Sequence, residues 1–213
     1  MRRTRSGLHI ASGMPLGRAR NSGEAFGGGG STSPAVFGSL GALVNGAKQA
    51  TANRLAVGSS PANMTSGTLY LVGIELVIGQ LLSSITFVSE TGPTTPTHQI
   101  FGLFDDSLGT STATPYALLQ GSNDDGANAW GNHVAKTLTL TATYTPVRSG
   151  FHYLGCLVVA GTAGSLRATA SGDGVWNLFA SILCGQTTDT GLTALPNPAH
   201  APSTGSLPMA WVS

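Results

Sequence analysis

The chain has 213 residues, and only 9% are charged, against roughly 25% in an ordinary soluble domain. Its net charge is +1, so the chain as a whole is not built to bind polyanions, and no run reaches the ~18 apolar residues of a membrane-spanning helix. Gly contributes 30 residues, about twice average usage, and Ser and Thr carry most of the polarity. A free monomeric enzyme with so few charges would risk poor solubility, whereas a subunit covered by its neighbours would not.

Positive charge is concentrated at the start. Arg2, Arg3, Arg5, Arg18 and Arg20 all precede the first acid, Glu24, while from Gly67 onward acids outnumber Lys and Arg. Residues 1–66 read as an extended, basic, Gly-rich arm and docking segment, and residues 67–213 as one β domain with an apolar C-terminal tail. Arg2-Arg3 does not open a leader peptide, because residues 8–16 are interrupted by His9, Ser12, Gly13 and Pro15. Gly27 to Gly30 form a flexible tract rather than a phosphate-binding loop, since no Lys-Ser/Thr follows. Val36, Leu40, Leu43 and Val44 have helical spacing, but Gly38, Gly41 and Gly46 weaken a helix there, and a docked irregular segment is preferred. With no core of its own, the arm must pack against a partner. Arg2, Arg3, Arg5, Arg18, Arg20, Phe26 and Phe37 are its anchoring candidates. An acidic protein surface is favoured over nucleic acid, because no aromatics accompany the arginines for base stacking.

From residue 68 onward, short apolar runs are closed by Gly, Pro, Asp, Asn or Thr. Strands are expected at residues 68–78, 81–89, 98–104, 116–120, 136–144, 151–160, 165–170 and 176–184. In the second, Ile85, Phe87 and Ser83 would share a face. Residues 91–97, with Gly92, Pro93 and Pro96, read as a loop, as do residues 122–133. The run 136–144 alternates, with Leu138, Leu140, Ala142 and Tyr144 on one face and threonines on the other. The run 151–160 is nearly continuous in apolar residues, so it should be central and covered on both sides, with Phe151, Leu154, Leu157 and Val159 buried. About eight strands with almost no helix predict an all-β antiparallel sandwich, jelly-roll-like first and immunoglobulin-like second. The uncharged tail, with Met209 and Trp211, must be buried against the domain or a neighbouring subunit.

Side chains that could carry chemistry form no catalytic constellation. Asp105, Asp106, Asp124 and Asp125, with Asn123 and Asn128, could offer oxygens to a cation, but the spacing is not that of a calcium loop. Strand termination and Asx-turns explain them better. His98, His133 and His152 lie near strand ends, and His152 reads as a packed strand residue. A hydrolase triad lacks its nucleophile elbow. Cys156 and Cys184 lie in separate strands, and free buried thiols are favoured over a disulfide; no zinc spacing is present. Neither a cofactor nor a metal is called for. Tyr116, Trp130 and Trp176 could stack on a sugar, although such aromatics more commonly pack within the protein.

Residues 67–169 resemble the small β-sandwich domains of tailed-phage virion proteins. The stretches that carry the likeness are GTLYLVGIEL, SSITFVSETG, THQIFGLFDDSLG, KTLTLTATYTPVRSGFHYLGCLVVAG and SLRATASG. Within them, an F-x-L-F-D strand and a T-P-x-x-S-G-x-H-Y-L-G turn and strand are typical of phage minor tail, fibre and head-decoration proteins. These motifs are structural, and no functional residue carries over from them. The resemblance implies a virion protein folded in the host cytoplasm, with capsid or tail subunits as partners, no membrane, and a homo-oligomer of three-fold order. The competing reading is a carbohydrate- or receptor-binding sandwich that uses the three aromatics.

Overall fold

The computed structural model describes residues 49–51, 60–105, 116–169, 184–203 and 205–213, all within the unit Ser33–Ser213. The described residues form twelve β-strands: β1 (Gln49–Ala50), β2 (Ser60–Asn63), β3 (Leu69–Leu76), β4 (Leu82–Thr91), β5 (Thr94–Asp105), β6 (Leu118–Gly121), β7 (Ala135–Tyr144), β8 (Gly150–Thr162), β9 (Ser165–Thr169), β10 (Cys184–Gln186), β11 (Leu207–Pro208) and β12 (Ala210–Val212). They make two antiparallel sheets packed as a sandwich, with no helix among the described residues. The expected strand at 176–184 falls largely outside the described residues, which take up again at β10.

The pairing is that of a jelly roll. The chain doubles back as a ribbon in which β2 pairs with β9, β3 with β8, β4 with β7 and β5 with β6. The ribbon is then rolled so that β4 meets β9 and β5 meets β8. One sheet therefore contains the order β2-β9-β4-β7 and the other β3-β8-β5-β6, the two-sheet arrangement that closes this fold. The sandwich also begins earlier than Gly67, because β1 and β2 both lie within it.

Local sequence explains the strand faces. Tyr70, Val72, Ile74 and Leu76 of β3 meet Phe101 and Leu103 of β5, Leu154, Cys156 and Val158 of β8, and Ile85, Phe87 and Leu138 from the opposite sheet. Strand β4 departs from simple alternation. A bulge between Leu82 and Ser84 leaves Leu82 and Ile85 both inward, while Ser83 is exposed. That bulge is why Ser83 does not share the face of Ile85 and Phe87. The expected loop at 91–97 is shorter, because β5 already starts at Thr94.

Strand β8 is central and buried along residues 152–158, as its apolar run predicts, but its ends differ from expectation. Phe151 is 50% exposed and Val159 half-buried. Phe151 lies at the strand's beginning on the outer face of its sheet, beyond the chain that covers that face. The cover is the segment after β10. Leu192, Leu195, Ala199 and Ala201 pack on Leu69, Leu71, Ile100, Phe104, Tyr153 and Leu157. It is held by Leu192 N donating to Gly67 O at 2.9 Å and by reciprocal bonds between Tyr116 and Ala199. Glycines stand side by side on β8, β5 and β6: Gly102 and Gly121 lie beneath Leu195 and admit the segment, while Gly155 makes room for the Phe104 ring. A Cβ on Gly102 would sit 2.6 Å from the Leu195 Cδ1.

The C-terminal tail closes the other sheet. Strands β4 and β9 pair directly at Ser89–Leu166 and Thr91–Ser165. Beyond those pairs the tail inserts, β11 against β9 and β12 against β4, with β1 on the far side of β12. Leu207, Met209, Ala210 and Val212 are buried. Of the two expected alternatives, burial against the tail's own domain is the one found, with Trp211 left half-buried.

Leu140→Ala should cost roughly 2–5 kcal/mol, as for a fully buried leucine, measured by urea unfolding; a loss under about 0.5 kcal/mol would contradict the inward face of β7. Gly102→Val should displace Leu195 and cost about 1–3 kcal/mol, while Thr139→Val, on the exposed face of β7, should change stability little.

Candidate functional site

The densest polar cluster joins β5 to the loop between β6 and β7. Asp124 and Asp125 are brought there by the end of β6, as strand-terminating residues should be. The Oδ1 of Asp124 accepts from the Gly126 amide at 2.8 Å, an Asx-turn, and from the Gln99 amide at 2.9 Å. Its Oδ2 lies 2.6 Å from Nδ1 of His98. Asp125 is bridged by Lys136 and accepts from Asn128 Nδ2. Gln99 is fully buried and is the hub. Its Nε2 donates to the carbonyls of Gly126 and Asn128, and its Oε1 accepts from Lys136 Nζ at 3.0 Å.

The positive charge beside the aspartates is the ammonium of Lys136, which also stands 6.0 Å from the centre of the Trp130 ring. Asp105 is elsewhere, paired with Arg148 in the turn between β7 and β8. Asp106 lies outside the described residues. Among the described residues, no three His, Cys, Asp or Glu side chains converge as metal ligands would.

Two of the three aromatic candidates are packed inside the protein. Trp130 is 3% exposed, packs edge-on against Phe101, and donates from Nε1 to Val134 O at 2.9 Å. Tyr116 is 5% exposed and lies 4.7 Å from the Tyr153 ring, on the opposite side of that sheet from the inter-sheet core. Neither ring face is open to a sugar, and the two rings share no groove. Trp176 lies outside the described residues, as do Arg2, Arg3, Arg5, Arg18, Arg20, Phe26 and Phe37.

His133 and His200 act as fasteners. His200 Nδ1 lies 2.6 Å from Asp189 and ties down the covering segment, while His133 lies 3.4 Å from Glu90, which also faces Arg167. His152 is fully buried within β8, in the packed role expected of it. Cys156 and Cys184 are free and buried. Strand β3 lies between them, with Cys156 opposite Tyr70 and Cys184 opposite Val72. Two strand spacings, about 10 Å, exceed the ~7 Å a disulfide can span. Burial pushes the Cys184 thiol up to about 12 and the Cys156 thiol higher still, so neither is a ready nucleophile.

Every described Asp and Glu side chain except that of Glu75 thus lies against a lysine, arginine or histidine, and Lys136, Arg148 and Arg167 are each engaged by one. Sequence reasoning missed Gln99 and Lys136. The one signal was Lys136 at the mouth of an otherwise Thr/Leu strand, close after Trp130 and the aspartates. Comparison with known proteins supplies no relative: no family model, curated protein or solved structure matches the chain.

The pH dependence follows from Asp124. Desolvation is the largest single influence and raises its pKa, but hydrogen bonds from the Gln99 amide, His98 and the Gly126 amide together hold it below the ordinary 3.8. A carboxyl depressed on folding stabilises the fold above its unfolded value and loses that contribution as pH falls through the folded one. Urea unfolding as a function of pH should therefore show an acid limb below about pH 4 that is shallower in Asp124→Asn; an unchanged limb would count against the cluster as a fastener.

Proposed function

We propose that this protein is a structural component of a tailed-phage virion, a head-decoration or minor tail or fibre subunit, held to capsid or tail proteins by its basic N-terminal arm. The observation that carries this reading is the internal pairing of the domain's charges. Among the described residues, every Asp and Glu but Glu75 lies against a lysine, arginine or histidine, and no three His, Cys, Asp or Glu side chains converge. A domain built this way is a scaffold, and its value to a particle lies in rigid shape. Jelly rolls serve in viral capsids and in lectins alike, so the fold alone does not choose between the two. The buried rings of Tyr116 and Trp130 weigh against the lectin reading. Low surface charge and the phage-like motifs weigh towards assembly. The homo-oligomer belongs to the same proposal, and its three-fold order rests on the phage resemblance.

Removing residues 2–33 should leave a folded sandwich that no longer joins the particle. Quantitative mass spectrometry of purified particles, comparing full-length and truncated chains, would measure this. Incorporation of the truncated chain at normal copy number would refute the anchor, and absence of the full chain from particles would refute the virion assignment.

A further inference from the structure

Asp125 and Gly126 form a chemically weak step in the loop between β6 and β7. An aspartate followed by glycine is prone to cyclise, because the second residue has no side chain to shield the carboxyl of the first from the backbone nitrogen between them. Here that shield is wholly missing: a Cβ built at Gly126 would meet no other atom within 4 Å. The step lies in a turn, with Gly126 at a φ of 56° and the Asn128 amide donating to Asp125 O at 3.3 Å. The Asp125 side chain is 25% exposed, so water reaches it.

The reaction open to this step needs only water. The Gly126 nitrogen attacks Cγ of the protonated Asp125 carboxyl and forms a C–N bond, which closes a five-membered succinimide ring. The amide proton and the carboxyl hydroxyl leave as water. A second water then adds to the ring carbonyl on the main-chain side and breaks its bond to nitrogen. The product is isoaspartate: the chain now runs through Cγ, one methylene longer, and the free carboxylate hangs from Cα.

Both reacting groups are held away from this reaction. Asp125 Oδ2 lies 2.5 Å from Lys136 Nζ, and its Oδ1 accepts from Asn128 Nδ2 at 2.9 Å. These partners fix the carboxyl and keep it ionised, and an ionised carboxylate is a poor electrophile. The Gly126 amide donates to Asp124 Oδ1 at 2.8 Å, so the nitrogen's proton is engaged and its lone pair would have to develop beside a negative charge. Lys136 is itself held by Oε1 of fully buried Gln99 at 3.0 Å.

We propose that Asp125-Gly126 is a latent site of isoaspartate formation, and that the hub of Asp124, Lys136 and Gln99 keeps it dormant while the loop is closed. Conversion would move the carboxylate away from Lys136 and lengthen the loop, so one opening that lasts long enough to react would unfasten the loop permanently from β5 and from Lys136. The inference stands on the loop's geometry and does not depend on the virion reading.

The full-length protein is aged at near-neutral pH, and isoaspartate at position 125 is quantified by peptide mapping. The native chain should form it at least about tenfold more slowly than the same chain in urea, because the reaction follows the population of the opened loop. Lys136→Met should lose most of that protection and Lys136→Arg should retain it. Asn128→Ala, at an exposed position that spares the core, removes one bond to Asp125 and should speed the reaction even if Lys136→Met fails to fold. Adding Gly126→Ala to Asn128→Ala should slow it again by shielding the carboxyl. His200→Gln, which breaks the distant pair with Asp189, should leave the rate unchanged. Equal rates in native and urea-unfolded chains would overturn the inference. So would a rate unmoved by Asn128→Ala, or one raised as much by His200→Gln, which would assign the protection to general stability rather than to the hub.

Discussion

Burial of β8 on both of its faces is the constraint around which the rest of the molecule is arranged. A strand in a two-layer sandwich normally offers one face to the core and one to water, and its sequence then alternates. From His152 to Val158 this strand does not alternate. Leu154, Cys156 and Val158 face the other sheet, and Tyr153 and Leu157 face outward. The outward set demands a third layer, which the segment between β10 and β11 supplies. That layer can approach closely because Gly102 of β5 and Gly121 of β6 lie beneath Leu195, while Gly155 of β8 leaves room for the Phe104 ring.

The two sheets differ as a result. The sheet containing β8 is apolar on both sides. The sheet containing β4 and β7 is apolar inside and lined outside with hydroxyls such as Thr86 and Thr137, whose Oγ1 atoms lie 2.7 Å apart. Its weak point is the seam between β4 and β9, which pair over only a short stretch. The tail fills that seam, and the carbonyl of Ser213 accepts from the amides of Ser83 and Ser84. An apolar tail ill suited to water in isolation is thus an internal strand of the finished sheet.

Charge is scarce in this domain and is used to attach loops. Buried Gln99 holds the loop between β6 and β7 through carbonyls, and Lys136 holds it through Asp125. His200 and Asp189 do the same for the covering segment. Partly exposed pairs of this kind are individually weak, but each joins chain segments far apart in sequence. A buried polar hub such as Gln99 costs little only when all of its hydrogen bonds are met, and here backbone carbonyls and the ammonium meet them.

The sequence alone determined the all-β class, the position of most strands, the central place of β8 and the packed roles of His152 and the two thiols. Those features follow from side-chain period and from local turn residues, which act over a few positions. What only tertiary structure decided depends on contacts between distant segments. The bulge that turned Ser83 outward required the pairing of β4 with β7. The exposure of Phe151 depended on where the covering segment stops. The burial of Tyr116 and Trp130 depended on Tyr153, Ala199 and Phe101, which no local pattern links to them. The balance of the aspartates by Lys136 required a loop and a strand to meet. Periodicity reports which residues seek burial, but the partner that buries each one is set by long-range pairing, and that is settled only when the ribbon rolls up.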